Sequence, residues 1–226
     1  MIALDSAQIV TAAVLFGLVV SSACIVLFID WRVALFALLA QYICAAGLLS
    51  QVVALPHALI RVLSGAFATA ILYFTFRRAQ ENFWRDLAQA EDDAARLVVT
   101  RSYYWQVFVI GVPFRVLALA LAAVGTIGVA ASITFLDIPP DGLFGALWLV
   151  ATGVLVAILS RAVLRLCLGI LLLTSGLVIL EIATEGSLLL YGLVNIADVL
   201  LALVLAHLAA LPAAPGVWRR RRGEVQ

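Results

Sequence analysis

The segment Ser187–Leu211 reads SLLLYGLVNIADVLLALVLAHLAAL, with one acidic residue, Asp198, near its centre. A helix needs about 20 predominantly apolar residues to cross the hydrocarbon core of a bilayer, and this segment is longer than that. It is therefore predicted to span a membrane with a carboxyl group at mid-depth. Outward from it, six more segments meet the same criterion: Ile9–Ile29, Val33–Ala54, Ala58–Phe76, Phe108–Leu136, Leu143–Ser160 and Val163–Ala183.

The composition of the whole chain agrees with seven crossings. Of its 226 residues, 65% are hydrophobic and 12% are charged, whereas soluble domains are about half apolar and a quarter charged. The net charge of +1 gives no field that would attract nucleic acid. We predict an all-α, polytopic membrane protein whose main surroundings are the lipid bilayer, with no nucleic-acid partner.

The arginines predict the orientation. The chain has 14 basic residues, all of them arginine. If the N-terminus lies outside, every arginine except Arg61 falls in an inner segment, as the positive-inside rule requires. The sequence thus predicts a multi-pass protein of the inner (cytoplasmic) membrane, with the N-terminus outside and a basic C-terminal tail, including Arg219–Arg222, in the cytoplasm.

The one long connection, residues 77–107, carries a second helical pattern. Apolar residues recur at helical spacing over 79–98, and Glu81–Arg85 and Asp92–Arg96 place an acid four residues before an arginine, the favourable order on a helix face. We predict an amphipathic helix on the cytoplasmic surface. Its apolar stripe either rests on lipid headgroups or binds a cytoplasmic partner.

The chain also matches itself at an offset of 129 residues. This offset superposes Arg32 on Arg161, Gly47 on Gly176 and Ala54 on Ala183. It predicts two three-helix units of the same orientation, a parallel 3+1+3 repeat. The predicted divisions are a first repeat (1–76), the cytoplasmic connector (77–107), a connecting span (108–136), a second repeat (137–211) and the basic tail (212–226). The connecting span has small residues every four positions, a face suited to helix packing: Ala118, Ala122, Thr126 and Ala130.

Asp198 is the leading candidate for a functional residue. A carboxylate at mid-membrane costs about 3 kcal/mol on insertion scales, so it should face protein or water. Asn195 lies one turn earlier on the same helix face, and Tyr191 lies two turns earlier. This pattern indicates a proton or ion relay. The alternative is an aspartate that ties helices together through hydrogen bonds.

Two further charges lie near the outer ends of predicted spans. Glu181, in the sixth span, either belongs to the relay near Tyr191 or simply reaches the interface. Arg61, in the third span, is the exception to the positive-inside rule. It either extends outward to the headgroups or forms an outer ion pair with an acid such as Glu181.

Sequence motifs for catalysis are not found. The three cysteines (Cys24, Cys44 and Cys167) stand alone in apolar runs, so we expect small buried side chains and neither a disulfide nor a metal site. No nucleotide-binding loop and no nucleophile with a histidine base can be identified. We therefore expect a protein without catalytic residues or a cofactor, at most a non-catalytic subunit of a membrane enzyme complex.

One stretch resembles a known family. Residues 160–170 read SRAVLRLCLGI and are followed by Gly176, and Asp198 precedes an apolar run, Val199–Val204. These features resemble the K-subunit family of respiratory complex I, its cation-antiporter relatives and the larger component E of hydrogenase-4 type membrane hydrogenases. The resemblance implies an accessory subunit beside antiporter-like subunits of a proton- or sodium-translocating complex, without a cofactor of its own.

The sequence departs from this family in the sixth span. Leu172-Leu173-Thr174 stands where K-type subunits carry a glutamate, which favours a scaffold over a pump element. Two other functions therefore stay open. One is a structural or assembly protein that recruits a cytoplasmic partner through 79–98. The other is a small independent transporter, which would require a polar cavity between the repeats.

Overall fold

The computed structural model describes residues 6–28, 30–89, 111–133, 139–160, 163–184 and 187–210. The regular elements in these ranges are α-helices, and each is long and apolar enough to cross a membrane. This confirms the predicted all-helical chain with seven candidate spans. The helices are α1 (Ser6–Leu27), α2 (Trp31–Leu49), α3 (Leu55–Gln89), α4 (Val112–Ser132), α5 (Pro140–Leu159), α6 (Val163–Thr184) and α7 (Leu188–Ala210).

The helices begin where the sequence supplies suitable capping chemistry. The Asp30 carboxylate accepts a hydrogen bond from the backbone N–H of Arg32 at 2.9 Å and caps α2. Pro113 lies in the first turn of α4, and α5 begins at Pro140. Proline suits these positions because the first N–H groups of a helix have no intrahelical partner.

The distribution of polarity is the reverse of that in a soluble protein. Large apolar side chains are well exposed on the outer faces of the helices, among them Phe16 (72%), Phe36 (73%), Leu121 (72%), Ile158 (75%) and Leu189 (81%). Polar and charged side chains are instead buried between helices, among them Gln41, Arg61, Thr152, Ser175, Asn195 and Asp198. An apolar exterior of this extent is compatible with a multi-pass membrane protein.

Glycines set the close approach of α5 and α6. A Cβ atom at Gly153 would lie 2.6 Å from the backbone N of Leu173, and one at Gly176 would lie 2.5 Å from the carbonyl O of Ala146. Gly169 faces Gly153 in the same contact. The two backbones therefore touch directly, which is the packing that small residues allow between membrane helices.

The remaining contacts form two similar sets. Helix α1 packs on α2 and α2 on α3, while α5 packs on α6 and α6 on α7. Contacts between the sets join α1 to α5, α2 to α6 and α3 to α7. Helix α4 lies against α5 and α1. Its predicted packing face is confirmed, because Thr126 is buried and Ala118, Ala122 and Ala130 are half-buried.

Helix α3 is longer than expected. Residues 79–89 are helical as predicted, but they continue α3 instead of starting a separate surface helix. No glycine or proline interrupts this stretch, and Arg77 bonds Glu81 one turn later at 3.1 Å. Its 35 residues correspond to about 52 Å, beyond the roughly 30 Å of a hydrocarbon core. Residues 90–98 of the predicted surface helix and the basic tail, 212–226, lie outside the described residues.

Two arginines hold the end of α1. Arg115 of α4 donates to the carbonyl O of Leu27 at 3.3 Å, and Arg165 of α6 donates to that of Phe28 at 3.2 Å. The last carbonyls of a helix have no intrahelical donor and carry partial negative charge, so cations are favourable there. Both arginines are buried, and together they link α1, α4 and α6.

Candidate functional site

A buried ion pair joins α3 to α7. Nη1 of Arg61 lies 2.7 Å from Oδ2 of Asp198, and the two side chains are 0% and 1% exposed. Asp198 is ten residues into the 23-residue helix α7, about 15 Å along an axis of roughly 34 Å. The carboxylate is therefore at the middle of its span, as the sequence predicts.

One face of α7 supports this pair. Asn195 Oδ1 accepts a second hydrogen bond from Arg61 Nη1 at 3.1 Å, while its Nδ2 donates to the carbonyl of Tyr191 at 2.8 Å. The Tyr191 hydroxyl donates to the carbonyl O of His57 at 2.8 Å. Residues 191, 195 and 198 share a face because side chains three and four positions apart are neighbours on a helix.

Helix α2 contributes Tyr42 to the same cluster. The Tyr42 hydroxyl donates to Asp198 Oδ2 at 3.1 Å, and the Arg61 guanidinium carbon lies 4.6 Å from the centre of the Tyr42 ring. This distance is within the range of a cation–π interaction. A Cβ atom at Gly65 would overlap with the Tyr42 ring, so the ring can pack against α3 only because this residue has no side chain.

Two serines complete the surroundings of Arg61. Arg61 Nη2 donates to Ser175 Oγ of α6 at 2.5 Å, and Ser175 in turn donates to the carbonyl of Leu171 at 2.7 Å. Ser64 Oγ lies 2.9 Å from Asn195 Oδ1 and 3.0 Å from the carbonyl O of Arg61. Four helices, α2, α3, α6 and α7, thus supply side chains to one polar cluster.

The electrostatics of the cluster are balanced. The positive charge of Arg61 and the negative charge of Asp198 cancel, and neutral hydroxyl and amide groups surround them. Separating two buried charges leaves each without compensation in a low-dielectric interior, which is strongly unfavourable. The cluster can hold two opposite charges away from water, and Asp198 Oδ2 accepts hydrogen bonds from both Arg61 and Tyr42.

The structure brings together four of the predicted site residues: Arg61, Tyr191, Asn195 and Asp198. Asp198, Asn195 and Tyr191 lie on one face of α7, in or beside the cluster. Arg61 pairs with the carboxylate of Asp198. Glu181 lies six residues beyond Ser175 on α6, about 9 Å further along the axis.

Sequence reasoning missed Tyr42, Ser64 and Ser175. Each is a common residue in an apolar run, with no motif around it. Tyr42 is 156 positions from Asp198 along the chain, so only the packing of α2 and α7 on α3 reveals the contact. The sequence signal for these partners was Arg61 itself, because a buried arginine has five N–H donors and needs several acceptors around it.

No group of three potential metal ligands occurs within the ranges that the structure describes. The three cysteines are free thiols; Cys167 is buried, and Cys24 and Cys44 are half-buried. Comparison with protein-family models, curated proteins and solved structures gives no match. The functional argument therefore rests on the geometry of the cluster.

Proposed function

We propose that the chain is an integral membrane accessory subunit of an ion-translocating complex of the respiratory or hydrogenase type, carrying protons or sodium ions. The observation that carries this proposal is the Arg61–Asp198 pair, which is buried between α3 and α7 with Asp198 at the middle of α7. The resemblance of residues 160–176 and of the region around Asp198 to complex I K-type and hydrogenase-4 component E subunits points to the same class.

Stability alone gives a weak reason for such a pair. Apolar side chains of similar volume can replace a buried ion pair with little loss, and sometimes with a gain, in stability. Ionisable residues inside membrane spans commonly mark ion or proton pathways. The presence of both charges on helices with apolar outer faces favours a role in ion movement.

The proposal includes an orientation and a repeat. The N-terminus lies outside the cytoplasmic membrane and the C-terminus inside, in accord with the arginine distribution. The 3+1+3 repeat is supported by the contacts of α1 with α5, α2 with α6 and α3 with α7, which pair helices at equivalent positions. The cluster then lies between the repeats, with Tyr42 and Arg61 from the first and Ser175 and Asp198 from the second.

Asp198 is the proton-exchanging group in this proposal. Protonation of its carboxylate would weaken the contact with Arg61, whose guanidinium would keep its position over the Tyr42 ring and its bonds to Asn195 and Ser175. Tyr191 continues the polar face of α7 toward His57. Glu181 is the candidate for the next acid toward the outer side.

A structural or assembly protein is the second candidate. Two observations favour it: the charge of Asp198 is compensated within the chain, and α3 continues far past its apolar part to Gln89. Trp84 on this extension is 57% exposed. In this version residues 79–98 bind a cytoplasmic partner.

Co-purification separates the two candidates. The tagged chain is extracted from its native membranes in a mild detergent, and the accompanying chains are identified by mass spectrometry. We expect antiporter-like or hydrogenase-type integral membrane subunits in near-equal amounts, and we expect them to remain when residues 81–96 are deleted. Recovery of soluble partners alone, lost on that deletion, would contradict the first candidate and support the second.

A further inference from the structure

The polar contacts between α3 and α7 lie toward one end of the helix pair. The Tyr191 hydroxyl donates to the carbonyl O of His57 at 2.8 Å. One of the Arg61 nitrogens, Nη1, reaches Asn195 at 3.1 Å and Asp198 at 2.7 Å. The contacting positions rise together along the two helices, so α3 and α7 run parallel. Both helices begin within one turn of the first of these contacts, so the polar half of the interface opens at the end where the helices begin.

The next two turns of the interface are apolar. Side chains three and four positions apart are neighbours on a helix face, and this spacing continues the two faces beyond Ser64 and Asp198 with four apolar residues: Ala68, Leu72, Ala202 and Leu205. They are at most 7% exposed and belong to one buried apolar cluster. The ion pair is therefore followed by a closed apolar layer in the direction of the helix ends.

His57 lies at the open end of the polar half. It is half-buried, and its Nδ1 is buried without a hydrogen-bond partner among the described residues. His57 precedes Arg61 by one helical turn on the same face of α3. An imidazole can both accept and release a proton near neutral pH. The histidine thus stands between the surroundings of the helix bundle and the buried pair.

We propose that protons and small cations reach Asp198 along the α3–α7 interface from the outer face alone, with His57 at the entrance. Water inside a protein requires polar partners, and apolar cavities stay dry. Only the half between His57 and Asp198 supplies such partners. This inference rests on the proposed function for the orientation of the chain and for the role of Asp198, and it adds the side of the membrane with which that residue exchanges.

Accessibility to silver ions tests the proposal on the full chain in membrane vesicles. Ser64→Cys exchanges one oxygen for sulfur in the polar half, where Ser64 Oγ lies 2.9 Å from Asn195 Oδ1. Ala68→Cys, one turn further on the same face, is the matched control. Ag⁺ is applied to one face at a time, in right-side-out or inside-out vesicles. The thiols that remain unbound are alkylated after denaturation, and mass spectrometry of the peptides that carry residues 64 and 68 measures the alkylation.

We expect Ag⁺ at the outer face to reduce alkylation of Ser64→Cys several-fold, and Ag⁺ at the inner face to leave it unchanged. Alkylation of Ala68→Cys should not change from either face. Ala202→Cys, on the opposing helix, provides a second control, so the comparison does not depend on one substitution. Equal protection at residues 64 and 68, no protection at residue 64, or protection from the inner face would overturn the proposal.

The measurement does not use ion transport, so its failure is distinct from failure of the proposed function. Protection of residue 64 from the outer face, together with unchanged transport by Asp198→Asn, would support access from one side and contradict the translocating role. Loss of transport by Asp198→Asn without protection at residue 64 would contradict this inference and leave the translocating role supported.

Discussion

Removing one member of the buried ion pair should destabilise the protein far more than removing both. Arg61→Met or Asp198→Leu alone is expected to lower the free energy of unfolding by about 3–5 kcal/mol, because each leaves an uncompensated buried charge. The double variant Arg61→Met/Asp198→Leu should lose much less than the sum of the two single losses, since no charge remains. Reversible unfolding in mixed detergent micelles, followed by tryptophan fluorescence, measures all three changes.

Arg78→Met is the control for this prediction, because Arg78 is an exposed arginine on the same helix. It should change the free energy of unfolding by less than about 0.5 kcal/mol, as surface substitutions usually do. Strictly additive losses in the double variant would show that Arg61 and Asp198 do not interact, contrary to the 2.7 Å contact.

The second large effect is expected at the α5–α6 contact. Gly153→Val and Gly176→Val each place a branched side chain against the backbone of the neighbouring helix. The added Cβ atom would lie closer to that backbone than van der Waals contact allows. Overpacking of this kind costs about 1–3 kcal/mol, occasionally more, even where side chains can yield. Since the atoms met here are backbone atoms, we expect losses at or above that range and separation of the helix pair.

Gly128→Val on α4 is the matched control, because a Cβ atom there would meet nothing within 4 Å. It should leave the stability unchanged or slightly raised, as glycine is the less favourable residue in a helix by a few tenths of a kcal/mol up to about 1 kcal/mol. Thermal denaturation monitored by size-exclusion chromatography compares the three variants. Equal midpoints for Gly153→Val and Gly128→Val would contradict the direct backbone contact.

The sequence predicted the spans well because hydropathy over 20 residues is a local property. It also predicted that Asp198 lies near the middle of α7, because that position depends only on counting residues along the helix. The face toward which a side chain points depends on packing between distant segments. For that reason the sequence suggests an Arg61 side chain near the outer surface, with an acid such as Glu181 as its partner. In the structure Arg61 pairs with Asp198.

The surface helix shows a similar limit. The pattern over 79–98 was correctly helical as far as Gln89, but a period of 3.6 residues does not reveal whether a helix is continuous with the one before it. Continuity is set by the absence of a breaker between Phe76 and Glu81, where α3 runs on without interruption. Tyr42 and Ser175 had no local pattern, and they emerged only from the packing of α2 and α6.

Ion translocation by native membrane vesicles tests the central claim most directly. Proton or sodium uptake, driven by NADH or hydrogen, is compared for the unaltered chain, for Asp198→Asn and for Asp141→Asn. Asp141 is an exposed acid in the first turn of α5 and serves as the control. All rates are normalised to the amount of assembled complex. We predict that Asp198→Asn reduces uptake to near background while Asp141→Asn leaves it unchanged. Unchanged uptake by a normally assembled Asp198→Asn complex would contradict the role of the buried ion pair in translocation.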